Sequence, residues 1–385
     1  MMREKIKATT ILSLSMLTIL TSQAIAPILG EIQAEFRDIP DFGIRMIVLL
    51  PPLCIMAVNI IMPFLVERYE QKRILMTGLI CYVIGGLGGG LCREYWQLLT
   101  IRIVLGIGCG MVMPFAQTLL TEFFQGKIYV YLTGLTSAMT FFSGIFASLF
   151  IAVIPAGKWK YSFFIYGIGI IIAIAAYFFI PDIKRQKDIP KSGKIQGKSW
   201  MIVAEMCMAN MAFYGLTTNL TMFLKEQGIE SKVFASSVNI VFMLTGFFIG
   251  TMYARIRRYA GNTTMIWGYF FMGAGYLLLW ITQSPYFLLI GAGIVGGSYS
   301  LVYPSIYLYG KAGSRGKENC GKVVSMLIIA TFGGQFLSGI FMKFLWKAGV
   351  IYRYQQEFLA WCLLLLCLCF IEYWRKRYYP IEVEK

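Results

Sequence analysis

Histidine is absent from the 385 residues. That removes imidazole from every role: no His-based catalytic triad, no His metal ligand and no His proton relay can exist here. Any proton carrier must be a carboxylate, a tyrosine or a lysine. Charge is scarce as well, at 14% of residues, against about 25% in ordinary soluble domains. The cysteines show no zinc or redox spacing. All but Cys320 sit in or beside apolar runs, where cysteine acts as a small apolar filler. No metal and no cofactor is expected.

What the chain has in their place is apolar surface. Hydrophobic residues make up 58% of it, more than a soluble domain of this size can hide. A bilayer core of ~30 Å takes roughly 20 apolar residues per helix. Twelve runs of that kind can be read, at 8–30, 46–66, 74–92, 97–120, 129–154, 162–180, 201–224, 233–254, 263–282, 286–310, 323–345 and 358–374. They are read as helices, because a barrel would show short alternating strands. The first run invites a check as a signal peptide: Arg3, Lys5 and Lys7 precede it, and Ala24-Ile25-Ala26 looks like a cleavage site. Pro27 would directly follow the cut, which disfavours cleavage, and the run is kept as the first span.

Lysine and arginine set the orientation. With the N-terminus inside, roughly two-thirds of the 35 basic residues fall on inner segments, the densest being the loop with Lys184, Arg185, Lys187, Lys191, Lys194 and Lys198. Both termini are therefore expected in the cytoplasm of a multi-pass plasma-membrane protein. The net charge of +16 is explained by this topology, so no nucleic-acid partner is expected. The same loop divides the chain into an N-terminal six-helix half (1–180), a cytoplasmic central loop (181–200) and a C-terminal six-helix half (201–385). A shift of 187 residues lays Arg68 on Arg255, Gly106 on Gly293 and Gly110 on Gly297, as a duplication would.

Three stretches carry a family resemblance. After the second span, Pro63, Glu67, Arg68, Glu70, Lys72 and Arg73 stand where a Gly-x-x-x-Asp-Arg-x-Gly-Arg-Lys signature would. In the fourth span Arg102 is followed by Gly106, Gly108 and Gly110. The first span ends in Ala26, Pro27, Leu29, Gly30, Ile32 and Phe36. In these features the chain resembles the major facilitator superfamily of transporters. It departs from the family's proton-linked exporters in one respect: no proline lies between Lys127 and Ile154, where those carry a Gly-Pro signature in the fifth helix. The resemblance implies an all-α membrane fold of twelve transmembrane helices in two pseudo-symmetric six-helix halves. It also implies a monomer working among membrane lipids by rocker-switch alternating access on a small-molecule substrate.

Candidate residues follow from charge in apolar surroundings. Arg102 and Glu205 each lie roughly 6 Å inside a ~30 Å core, at opposite faces, so they cannot be a ready-made pair. Arg102 can bind an anionic group, repel cations or bond helix-end carbonyls. Glu205 is the candidate proton-coupling group, with snorkelling to the inner interface as its alternative. The resemblance implies a central pathway lined by the first, fourth, seventh and tenth helices, hence Gln23, Arg102, Asn210, Tyr214, Tyr299 and Tyr303. Glu67, Arg68, Lys72 and Arg73, with Glu122 at the inner end of the fourth span, are the candidate cytoplasmic gate. Their alternative is plain positive-inside anchoring. The expected function is secondary transport, with export of amphipathic or drug-like compounds and protons as the candidate coupling ion. An alternative is uptake or exchange of an organic anion anchored by Arg102. A polytopic enzyme or sensor is a remote alternative, since no nucleophile–base pair is present.

Overall fold

The computed structural model describes residues 2–23, 25, 28–155, 157–181, 197–226, 232–282, 284–313 and 317–378. Among the described residues all regular structure is helical. In chain order the helices are α1 (Met2–Gln23), α2 (Leu29–Glu35), α3 (Asp41–Arg68), α4 (Gln71–Leu87), α5 (Tyr95–Phe123), α6 (Gly126–Ala152) and α7 (Ile168–Phe179). Then follow α8 (Gly197–Glu226), α9 (Lys232–Ala260), α10 (Thr264–Ile281), α11 (Pro285–Gly313), α12 (Lys317–Lys347) and α13 (Tyr354–Tyr378). A 3₁₀ stretch, Trp159–Gly167, leads into α7.

Most of the expected apolar runs fall along one helix each, but the first is divided between α1 and α2 and the sixth between a 3₁₀ stretch and α7. Among the described residues nine stretches are long and apolar enough to cross a membrane, one of them, Ser237–Ile281, containing both α9 and α10. α1 offers only the shorter apolar piece Ile6–Thr21. α8 is absent from that set for a physical reason: it carries Glu205, Asn210 and Asn219 along its length. The first run was expected to continue to residue 30. Instead α1 stops at Gln23, and α2 restarts at Leu29, two residues beyond Pro27, whose missing N–H cannot propagate a helix. Prolines lie inside α3, α5 and α11; in α5 the Gly110 carbonyl, which Pro114 leaves without its helical donor, accepts from Asn59 Nδ2 of α3 at 3.1 Å.

The chain forms two compact units. Unit 1 comprises Met1–Phe123, Phe142–Gly193 and Lys317–Ile329; unit 2 comprises Phe124–Phe141, Lys194–Gly316 and Ala330–Lys385. In unit 1, α5 packs against α1, α3 and α4. It presents Leu98, Leu105, Val112 and Leu119, a stripe repeating every seven residues, all fully buried. In unit 2, α11 packs in the same manner against α8, α9 and α10 and buries Leu288, Ala292, Val295 and Val302. Large apolar side chains such as Phe64, Phe178 and Phe248 stay exposed, as a lipid-facing surface requires.

Glycines permit the close approach. A Cβ on Gly106 would lie 2.7 Å from Cys54 Cβ, and one on Gly293 would lie 3.2 Å from Val241 Cγ1. Cys54 and Val241 are themselves 187 residues apart, as are Val58 and Thr245, which face Gly110 and Gly297. The packing thus repeats at the offset seen in the sequence. The glycine-rich end of α4 has a role beyond a weakened helix. Cβ atoms on Gly85, Gly86 and Gly89 would run into the α5 backbone, Tyr166 and Phe163 at 2.0–2.4 Å.

Candidate functional site

In unit 2 the site is built from α8 and α11. Asn210 on α8 is fully buried; its Nδ2 donates to the Met206 carbonyl at 2.8 Å, and its Oδ1 accepts from Tyr299 Oη at 2.8 Å. Tyr299, Tyr303 and Tyr307 follow one another at four-residue spacing on α11, so they form a column along one face. Tyr303 Oη donates to Tyr307 Oη at 3.3 Å. Phe213, the neighbour of Tyr214 on α8, stacks on Tyr299 with centroids 3.9 Å apart. Phe141 meets Phe213, Phe242 and Tyr299 edge-on, at 6.1, 6.2 and 6.4 Å. Four sequence candidates, Asn210, Tyr214, Tyr299 and Tyr303, therefore share one aromatic patch. Its polar groups are few and mostly committed to each other, which leaves ring faces as its recognition chemistry.

Unit 1 holds Arg102, with no exposed surface. Nη1 donates to Tyr166 Oη at 2.9 Å, and Tyr166 Oη in turn donates to the Leu20 carbonyl at 3.1 Å. The guanidinium stands 5.2 Å over the Phe163 ring and 5.7 Å over the Tyr166 ring. Among the described residues no carboxylate pairs with it, and Nε and Nη2 have no hydrogen-bond partner. Gln23 is the last residue of α1; its side chain lies outside the described residues.

Glu205 is buried on α8 beside two residues not singled out in the sequence. Its Oε1 lies 3.8 Å from Arg375 Nε on α13, and Arg375 also binds Glu372 three residues earlier on the same helix. Glu372 lies inside an apolar stretch but close to its basic end, so in the sequence it reads as part of an interfacial tail. Glu357, at the start of α13, is a further buried carboxyl and accepts from Trp346 Nε1 at 2.7 Å.

The gate candidates fall at helix ends. Glu67 Oε1 lies 3.8 Å from Lys322 Nζ of α12, a partner the sequence did not suggest. Arg73 pairs with Glu70 at 2.8 Å, and Lys72 stands 5.5 Å over the Tyr177 ring. Arg68 and Glu122 are exposed in the last turns of α3 and α5. Away from these, Glu31 and Glu35 of α2 hold the segment before α7. The Gly157 N–H donates to Glu31 at 3.0 Å, Trp159 Nε1 to Glu35 at 2.6 Å, and Lys160 pairs with Glu35 at 3.0 Å. Burial works against ionisation of Glu35, but the bonds from Lys160 and Trp159 outweigh it and hold the carboxyl below its ordinary range.

The family model for the Major Facilitator Superfamily matches residues 11–339. The chain belongs to that superfamily. As a member it is a multi-pass membrane transporter, and not an enzyme. The superfamily fold is shared with the proton:xylose symporter XylE (TM-score 0.80, 13% identity, covering 97% of this chain and 95% of that one). The human organic anion transporter MFSD10 superimposes with a TM-score of 0.78 at 14% identity, covering 96% and 99% of the two chains. Among curated relatives, Multidrug resistance protein 3 of Bacillus subtilis is 26% identical over 145 residues, which is 37% of this chain and 28% of that protein. The cis,cis-muconate transport protein of Acinetobacter baylyi is 25% identical over 117 residues, 30% of this chain and 28% of that one. These matches span little more than a quarter of either relative's length.

Proposed function

We propose that the chain exports amphipathic or drug-like compounds by alternating access, with the two sequence halves rocking about a central pathway. The observation that carries this reading is the aromatic patch around Asn210 and Tyr299. Stacked and edge-on rings of Phe213, Phe141, Tyr299 and Tyr303 offer polarisable faces with few fixed donors, which suits flat, apolar or cationic molecules of varied shape. The partial likeness to a multidrug resistance protein supports the same reading. A plasma-membrane location with both termini in the cytoplasm is part of the proposal, supported by the distribution of lysine and arginine. So is action as a monomer among membrane lipids.

A second reading rests on Arg102. A buried cation with two unbonded nitrogen donors is suited to an organic anion, and a muconate transport protein is among the relatives. One experiment separates the two. The purified protein is screened by thermal shift against lipophilic cations, neutral amphiphiles and organic anions, because a bound ligand stabilises the folded state by mass action. Stabilisation by cations and amphiphiles that persists in Arg102→Lys and falls in Tyr299→Ala is the expected result. Stabilisation by anions alone, lost in Arg102→Lys, would overturn export of amphiphiles in favour of anion carriage.

A further inference from the structure

Five helices of unit 2 converge on one buried polar cluster away from the aromatic patch. α8 brings Glu205, α13 brings Glu372 and Arg375, α10 brings Tyr269, α11 brings Tyr309 and α9 brings Arg257. The two carboxyl residues are 2% and 1% exposed. Arg375 is committed to Glu372: Nε donates to Oε2 at 2.6 Å, and Nη2 donates to Oε1. This two-point grip fixes the guanidinium plane. Glu205 is left 3.8 Å from Arg375 Nε, outside hydrogen-bond range, and neither of its oxygens accepts a hydrogen bond among the described residues.

The surrounding groups do not complete the charge balance. Arg257 stands 5.8 Å from the Tyr309 ring centroid and, among the described residues, forms no ion pair with either carboxyl. The Tyr309 ring carries Arg375 at 4.6 Å, but its hydroxyl donates to the Asn262 carbonyl. Tyr269 offers a buried hydroxyl and no charge. Within ion-pair range the two carboxylates share the single guanidinium of Arg375, which leaves one negative charge without a paired cation. In apolar surroundings an uncompensated charge is far costlier than a neutral group, and one proton removes it.

We propose that Glu205 and Glu372, held by Arg375, form a proton-binding site that loads one proton onto Glu205. The step is an acid–base one: a hydronium ion gives up one O–H bond and leaves as water, the proton forms an O–H bond on a Glu205 oxygen, and the new hydroxyl can donate to Glu372. This deepens the transport reading above by naming the seat of the coupling ion. Release follows if α8 and α13 shift so that Arg375 turns from Glu372 to Glu205, because the guanidinium then favours the ionised form of the latter.

Infrared difference spectroscopy of the full chain in lipid nanodiscs, titrated from acid to alkaline, reads protonated carboxyls directly and needs no substrate. It therefore stands or falls apart from the transport assignment. The expected result is a protonated-carboxyl band that persists after the exposed carboxyls have ionised and is lost in Glu205→Gln and in Glu372→Gln, since either change leaves a balanced one-to-one pair. In Arg375→Gln the band should persist to more alkaline pH. Glu357→Gln, which removes the signal of a buried carboxyl elsewhere, should leave the component lost in Glu205→Gln in place. A wild-type protein with no band outlasting ionisation of the exposed carboxyls, or such a band surviving in Glu205→Gln, would overturn the proposal. Arg375→Gln serves only if its melting temperature shows a folded protein; the two glutamine variants decide the matter without it.

Discussion

Arg102 is sealed into unit 1 with an aromatic hydroxyl on one nitrogen and ring faces beside its plane. The Tyr166 hydroxyl does two things at once, accepting from the guanidinium and donating to the Leu20 carbonyl. Replacing it by hydrogen strands both partners, so Tyr166→Phe should cost about 1–3 kcal/mol. Tyr82, equally buried in the same unit, has a hydroxyl with no partner among the described residues, so Tyr82→Phe should be neutral or stabilising. Thermal unfolding of the two variants checks this pair of expectations; equal loss in both would show that the hydroxyl of Tyr166 has no special task. Arg102 was legible in the sequence as the one charge of its span, because burying a charge is rare enough to stand out. Its partner was not. A tyrosine 64 positions away in another apolar run looks the same whether it anchors an interface or carries an arginine. Glu372 escaped notice for a related reason: three residues from Arg375, it reads as a solvated helix end, and only the fold brings Glu205 to it.

Helices were the most legible objects, since an apolar run of spanning length allows little else in lipid. What the runs could not show was where two backbones touch. Gly296 of α11 is such a point: a Cβ there would lie 2.0 Å from the Phe242 carbonyl oxygen of α9. Neither backbone can yield cheaply, so Gly296→Ala should destabilise by about 1–3 kcal/mol. Gly339 of α12 has nothing within 4 Å of its Cβ position. There alanine should add about 0.5–1 kcal/mol by stiffening the unfolded chain and favouring the helix. Melting temperatures that move in opposite directions would bear this out, and a harmless Gly296→Ala would contradict it. The break between α1 and α2 was missed because hydropathy does not register a change of direction. The apolar signal runs on past Gln23, while Ile25 already lies in a turn.

At the scale of the whole molecule, the 187-residue offset was visible as scattered glycines and becomes a repeated contact between paired helices. The correspondence does not extend to the charges at the helix ends. Glu67 meets Lys322, whereas the equivalent position in the second copy is Ala254. An exposed pair of this kind contributes at most about 1 kcal/mol to folding, so its value would lie in transport. Glu67→Lys and Lys322→Glu should each slow substrate movement in proteoliposomes with little change in melting, and the double exchange should restore much of the rate. Two single variants as active as the wild type would make the pair an ornament of the surface. The first span has a different consequence. α2 is tied to residues 157–160 through Glu31 and Glu35, and the Leu20 carbonyl of α1 is tied to Tyr166 just before α7. Because Glu35 sits below its ordinary carboxyl range, mild acid leaves its ties to Trp159 and Lys160 intact. With attachments at both places, α1, α2 and the segment leading into α7 are expected to travel as a single girder. A covalent bridge between them would be silent in turnover, and whatever hinge the transport cycle uses must be sought between other rods.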